Sequence, residues 1–256
     1  MRHAPAAFSM LLLVINLGAG VPAAAQGRFP PDSFKNLKVL SKTISQRALL
    51  DTMRGFALSL GVRCVYCHVG KEGQPLDSVN FASDDKRAKK VARVMMHMVM
   101  HTNEEHLRDV PDRPTPVVVV RCATCHRGVA RPRLLDDDLA LMLADSGLDA
   151  AVRRYRALRE RYYGSGSYDF GELALNQLAR GEAQAGRLDH AMGLLNLNAE
   201  FYPASAQIPF LKAELFLQRG DTASALAGYR DALARDSTNV PARRRLAALG
   251  GATRRP

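Results

Sequence analysis

The 256-residue chain contains no tryptophan, and aromatic residues make up only 6% of it, a shortage common in helical proteins. Cysteine is nearly as scarce: there are four, at positions 64, 67, 122 and 125. No Ser/His/Asp set, glycine-rich phosphate loop or pair of hydrolytic carboxylates stands out, so the chain does not read as a hydrolase or a nucleotide-driven enzyme. Acidic residues are also short, 25 against 36 Lys and Arg, giving a net charge of +11. Such a surplus suits nucleic acid, an acidic protein partner, an anionic membrane surface, or simply a solvated basic face. Its one long apolar run, Ala6 to Gly20, is short for a membrane span.

That run has the form of an export signal. Arg2 and His3 give it a positive start, Leu11-Leu12-Leu13-Val14-Ile15 its apolar centre, and Val21-Pro22-Ala23-Ala24-Ala25 a small-x-small cleavage site before Gln26. No cysteine lies near the site for a lipid anchor. Residues 1–25 are therefore expected to be a signal peptide, with the remainder in the periplasm or at the outer face of the inner membrane. Free paired thiols would tend to oxidise in such a compartment unless they were otherwise bound.

All four cysteines fall in two pentapeptides, Cys64-Val65-Tyr66-Cys67-His68 and Cys122-Ala123-Thr124-Cys125-His126. Each reads C-x-x-C-H, the attachment pattern of a c-type haem. On a helical turn residues i and i+3 share a face and i+4 lies beside them. Two thiols can then form thioethers to the vinyl groups of one porphyrin, while the histidine reaches its iron. The rival is one four-cysteine zinc site. Zinc ribbons separate their pairs by about 15–20 residues, whereas here residues 68–121 intervene, and a histidine after both pairs would be coincidence. Two covalent haem c groups are expected, with Cys64, Cys67, Cys122 and Cys125 as attachment points and His68 and His126 as proximal ligands.

Residues 27–43, with Pro30 and Pro31, read as an extended lead-in. A helix follows, with Ser45 as N-cap, Ile44, Leu49, Met53, Phe56, Ala57 and Leu60 on one stripe, and Gly61 as its stop. It folds back beside the Cys64 turn, so that Met53 approaches the haem face opposite His68; Met/His ligation suits a raised potential. The alternative is that Met53 is core filler. Residues 71–80 read as a surface loop. A second helix is expected from Ser83, with Asp84 and Asp85 in its first turn, running into Val94-Met95-Met96-His97-Met98-Val99-Met100-His101. One of these methionines caps the second iron. His97 and His101, an i, i+4 pair, suit a metal or an inert exposed face. Prolines 111, 114 and 116 break the chain, and Val117 to Val120 form a short strand-like run into Cys122.

Residues 36 to 132 resemble the cytochrome subunit of bacterial photosynthetic reaction centres and its non-photosynthetic relatives. The resemblance is carried by Leu60-Gly61-Val62-Arg63-Cys64-x-x-Cys67-His68, by Ala92-Arg93-x-Met95-Met96-x-Met98 with Asn103, and by Cys122-x-Thr124-Cys125-His126-Arg127-Gly128. It implies Met53 as distal ligand of the first haem and Met95 of the second, with Met96 or Met98 as alternatives. It also implies electron donation to an oxidised membrane partner. The photosynthetic subunit carries four haems, whereas this chain has motifs for two.

From Asp136 the pattern changes. Gly186 and Gly220, Ala191 and Ala225, and Leu195 and Tyr229 are each 34 apart, the tetratricopeptide period. Gly147-Leu148-Asp149-x-Ala151-x-x-x-Tyr155 is a degenerate earlier unit, 40 residues ahead of its echo, with Gly164-Ser165-Gly166-Ser167 as an inserted loop. The expectation is a mainly α chain: a dihaem cytochrome c module over 26–135, a short tetratricopeptide-like solenoid over 136–250, and a disordered basic tail over 251–256. It is expected to carry electrons to or from a membrane-associated redox protein rather than to act as an enzyme, with a protein or peptide on its repeats and no nucleic acid. The rivals are a dihaem peroxidase, for which His97, His101 and His106 are the nearby acid–base candidates, and a redox-sensing haem scaffold.

Overall fold

The computed structural model describes residues 29–31 and 33–252. The expected signal peptide and residues 253–256 lie outside the described residues. The described residues are mostly helical and contain no strand; a single bridging pair joins Val69 to Asn80. None of their helices is long and apolar enough to cross a membrane.

The first half holds α1 (Gln46–Leu60), α2 (Cys64–Cys67), α3 (Arg87–His101) and α4 (Cys122–His126). Ser45 caps α1 by accepting a hydrogen bond from the Ala48 amide, and Gly61 closes it in the left-handed region at φ 65°. Two expectations shift. The second helix starts at Arg87 rather than near Ser83, because Asp84 is drawn into ion pairs with Lys38, Lys89 and Arg93. The run 117–120 is not a strand: Val117, Val118 and Val119 are exposed, and Val120 pairs with the Asn103 side chain instead of another chain segment. The 71–80 loop contains a 3-10 turn, Leu76–Ser78, beside the buried Val79.

The second half is a stack of antiparallel helices. α5 (Leu135–Tyr162) is broken at Gly147 (φ 79°, ψ −177°) into two arms, tied by an Arg154–Asp138 ion pair at 2.7 Å. Then come α6 (Glu172–Gln184), α7 (Leu188–Phe201), α8 (Gln207–Gln218), α9 (Thr222–Arg235) and α10 (Val240–Ala252). The 34-residue period is visible in the backbone. Gly186 and Gly220 take φ 78° and 79°, and the residue after each donates back across the same number of positions, Arg187 to Glu182 and Asp221 to Phe216, at 2.9 Å. Small residues bring paired helices close: Ala191, Ala213, Ala225 and Ala232 are fully buried, around Leu194, Leu195 and Tyr229. In α5, Gly147 likewise has φ 79°, and Ala151 and Tyr155 are buried. α10 carries helix two residues past the expected tail boundary at 250.

Burial divides the chain sharply. Between residues 33 and 134 the buried apolar side chains are Leu49 and Val79, while from Leu135 onward a continuous cluster runs through α5, α6, α7 and α8, with a second joining α8, α9 and α10. The first half is thus a set of short helices with little core of its own.

Candidate functional site

Both C-x-x-C-H pentapeptides form a helical turn, as their spacing requires. In α2 the His68 amide closes the turn on the Cys64 carbonyl at 3.0 Å. In α4 the Thr124 hydroxyl accepts from the Arg121 amide at 3.0 Å, while the Thr124 amide donates to the Arg121 carbonyl at 2.9 Å. Arg127 and Gly128 then leave the turn through the left-handed region at φ 45° and 83°, so the Arg127-Gly128 pair is a backbone device. The four cysteines are free thiols, Cys64 and Cys125 exposed and Cys67 and Cys122 half-buried. Burial pushes the Cys67 thiol up, against the nearby Lys86 charge, which favours the protonated form.

The helix pairing is crossed. The α1 helix precedes the first motif but packs on α4, the second; α3 precedes the second motif, and α2, the first, packs on it. The Gly128 amide donates to the Ser59 carbonyl at 2.8 Å, and Lys86 Nζ donates to the Val65 carbonyl inside the first turn at 2.8 Å. Spacing alone placed the Met53 helix beside its own motif; the structure adds its contact with the other one. Met53, Met95 and Met96 are half-buried, whereas Met98 and Met100 are exposed.

The two histidines sit in different surroundings. His126 Nδ1 lies 2.9 Å from the Val129 carbonyl. This fixes the tautomer with the proton on Nδ1 and leaves Nε2 free to ligate. His68 Nδ1 is buried and has no well-formed partner. Its ring meets Phe81 edge-on at 4.9 Å, with Phe29 stacked behind Phe81 at 5.4 Å. Burial, then the positive charge of Lys89, hold His68 below the usual imidazole range, so it is neutral and able to bind a metal.

A brace behind His68 was only partly visible in the sequence. Asp84 accepts from Lys38 Nζ at 3.0 Å and Asn36 Nδ2 at 2.8 Å, and meets Arg93 Nη1 at 2.9 Å. Lys89 Nζ donates to the carbonyls of Phe81, Ala82 and Ser83 at 2.9, 3.1 and 2.7 Å. The Arg93, Lys38 and Asn36 hydrogen bonds hold the Asp84 carboxyl far below its ordinary value of 3.8. A depressed carboxylate contributes its stability above the ordinary value and loses it as pH falls below. Asp84→Asn is therefore expected to lower the urea midpoint of the first half at pH 7. The gap to wild type should narrow below about pH 4, as followed by circular dichroism.

The zinc reading fails on placement: among the described residues no three His, Cys, Asp or Glu side chains are grouped to hold a metal ion. The His97/His101 pair fails in the same way. His101 is engaged by Glu105 at 2.7 Å and stacks edge-on with His106. Covalent haem fits what is present. Each turn offers two thiols and a histidine, one of the histidines carries a buried unpartnered nitrogen, and the half that bears them lacks an apolar interior. Val91, Val94, Met98 and Met100 on α3 and Leu58 on α1 are left exposed, which is apolar surface that a porphyrin would cover.

Comparison with known proteins gives partial matches to solved structures and to a protein family. The chain is similar to the crystal structure of PcrH in complex with the chaperone binding region of PopB, at 20% identity and TM-score 0.29 over 46% of this chain and 90% of that one. The PcrH complex with the corresponding region of PopD gives 19% identity and the same TM-score over 46% and 84%. No curated protein matches. The first half matches the family described as photosynthetic reaction centre cytochrome C subunit over residues 19–136, a span holding both pentapeptides, both left-handed residues after His126 and the α3 methionines. Over that span, just under half of its length, the chain is similar to a cytochrome c subunit of electron transfer.

Proposed function

We propose that the chain is an exported dihaem cytochrome c that passes single electrons between a reduced donor protein and an oxidised, membrane-associated acceptor. One observation carries the reading: two complete C-x-x-C-H turns lie in a half of the molecule with almost no apolar interior of its own. A haem bound at each turn supplies a one-electron ferric/ferrous couple. The chain's part is to hold it. Cys64 and Cys67 would attach one group and Cys122 and Cys125 the other; His68 and Met53 would ligate the first, and His126 and Met95 the second. With a histidine on one side and a methionine thioether on the other, neither group would keep an open position for substrate, so the protein would relay electrons and transform no molecule. The repeats hold this carrier against a protein partner. A shallow cavity of about 230 Å³ between α6 and α8, lined by Ala179, Arg180, Phe210 and Glu214 among others, is where a peptide or helix of that partner would lie. The cationic surface would steer docking to acidic partners, and the signal-like sequence of residues 1–25 supports an encounter in the periplasm.

Intact mass of the exported protein should show two haem additions, and Cys→Ser replacement of either pair should remove one. The reduced protein is expected to keep its optical spectrum under carbon monoxide, and Met53→Ala to make one haem carbon monoxide-sensitive. Carbon monoxide binding to the unaltered protein would displace the carrier reading in favour of a peroxidase or a haem sensor.

A further inference from the structure

The two motifs are chemically alike, but what stands behind their histidines is not. His126 donates from Nδ1 to the Val129 carbonyl at 2.9 Å. Such a bond raises the basicity of the ligating nitrogen and favours the ferric state. His68 has no equivalent bond of normal geometry. The main-chain group nearest to that role is at Phe81, and its carbonyl already accepts from Lys89 Nζ at 2.9 Å. An ammonium on that oxygen draws its lone-pair density away from the imidazole. Charge acts in the same direction. The Lys89 and Arg93 side chains are only 12% and 17% exposed, and together with Lys38 they share one carboxylate, Asp84. Lys86 adds a fourth cation on the Val65 carbonyl within the first turn. Cations also flank the second motif, Arg121 and Arg127, but both are exposed and screened by water and salt.

We propose that Lys89 sets the two sites apart: its ammonium, held by three carbonyls behind His68, makes the first motif's site the harder to oxidise, so that electrons enter at the second motif and collect at the first. The inference rests on the dihaem reading above. Lys89 is a positioning residue, acting through the Phe81 segment and its own charge rather than by touching the iron.

The test is a spectroelectrochemical titration of the exported, full-length protein, after its mass has confirmed two haems. A single haem by mass would sink the dihaem reading itself, before the inference is reached. A Cys122→Ser/Cys125→Ser variant, or the corresponding change at Cys64 and Cys67, identifies which couple belongs to which motif. The upper of two midpoints should belong to the first motif. Lys89→Gln should lower it by about tenfold in the reduced-to-oxidised ratio at fixed potential, about 59 mV for one electron, and leave the lower midpoint in place. Asp84→Asn should shift the upper midpoint the opposite way, and Lys89→Arg should largely preserve it. A merely structural role would move stability without this opposition of sign. If Lys89→Gln does not accumulate, Lys86→Gln carries the same expectation with a smaller shift. The proposal is overturned if the upper midpoint belongs to the second motif, if the charge changes move the lower midpoint instead, or if neither midpoint responds.

Discussion

Gly61→Ala is expected to cost about 3 kcal/mol or more and, if the chain carries two haems as proposed, to reduce sharply the fraction of chains carrying both. Gly61 ends α1 at φ 65°, a conformation that costs an L side chain about 1 kcal/mol. It also lies at the crossing of the two halves of the site. A Cβ there would stand 2.0 Å from the Gly128 carbonyl oxygen and 2.9 Å from its carbon. Both are backbone atoms, so no side-chain rotation relieves the contact. The Gly128 amide is bonded to Ser59, two residues before Gly61, so moving either strand of chain breaks the pairing of α1 with α4. The loss combines strain at a special backbone angle with broken packing, two of the mechanisms behind large single-residue effects. Gly55→Ala makes the control. It lies inside the same helix with nothing within 4 Å of its would-be Cβ, and the gain in helix propensity should stabilise by about 0.5–1 kcal/mol. Thermal unfolding with intact mass reads both. Equal behaviour of the two variants would show that the α1–α4 crossing is not what holds the half together.

That crossing marks the boundary of what the sequence makes legible. Short-range features could be read directly: the Ser45 cap, the Gly61 stop, the helical turns at Cys64 and Cys122, and the 34-residue recurrence of Gly186 and Gly220. Each depends on residues within one or two turns of one another. Features that depend on distant partners could not. Asp84 and Asp85 have the look of a helix first turn, but Lys38, 46 positions earlier, and Arg93 on the opposite side draw Asp84 out of it. A valine run at 117–120 has strand propensity, but with no neighbouring strand to pair with, Val120 turns to Asn103. The crossed packing of α1 on α4 and α2 on α3 has no local signature. Met53 is eleven residues before Cys64, and this spacing is equally compatible with packing on either motif. The difference between His68 and His126 is likewise invisible in two identical C-x-x-C-H strings, because it resides in Val129, Phe81 and Lys89.

Asn103 illustrates the same point from the side of the second motif, and its removal is the other large effect expected. α3 does not simply end at His101. It runs on through a wider π turn, Thr102–His106, closed by the Leu107 amide on the Thr102 carbonyl at 2.8 Å. The turn sets Asn103 where its amide nitrogen donates to the Val99 and Val120 carbonyls at 2.9 and 2.8 Å, while its oxygen accepts from the Val120 amide at 2.8 Å. One side chain thus fastens the stretch leading into Cys122 onto the helix that bears Met95. The surrounding valines 117, 118 and 119 are exposed and give that stretch little other anchorage. Asn103→Ala deletes three hydrogen bonds, each contributing about 1 kcal/mol, so a loss of about 2–3 kcal/mol is expected. Asn103→Asp should be at least as harmful, since it keeps the acceptor for Val120 but sets a carboxylate against two carbonyl oxygens. The loss should be local. Intact mass should show chains loaded at the first motif and missing the second haem, and limited proteolysis should cut within residues 108–121 faster than in wild type. Equal depletion of both haems would mean instead that the crossed helix pairing transmits the damage, making the two motifs one cooperative unit rather than two sites joined by a hinge.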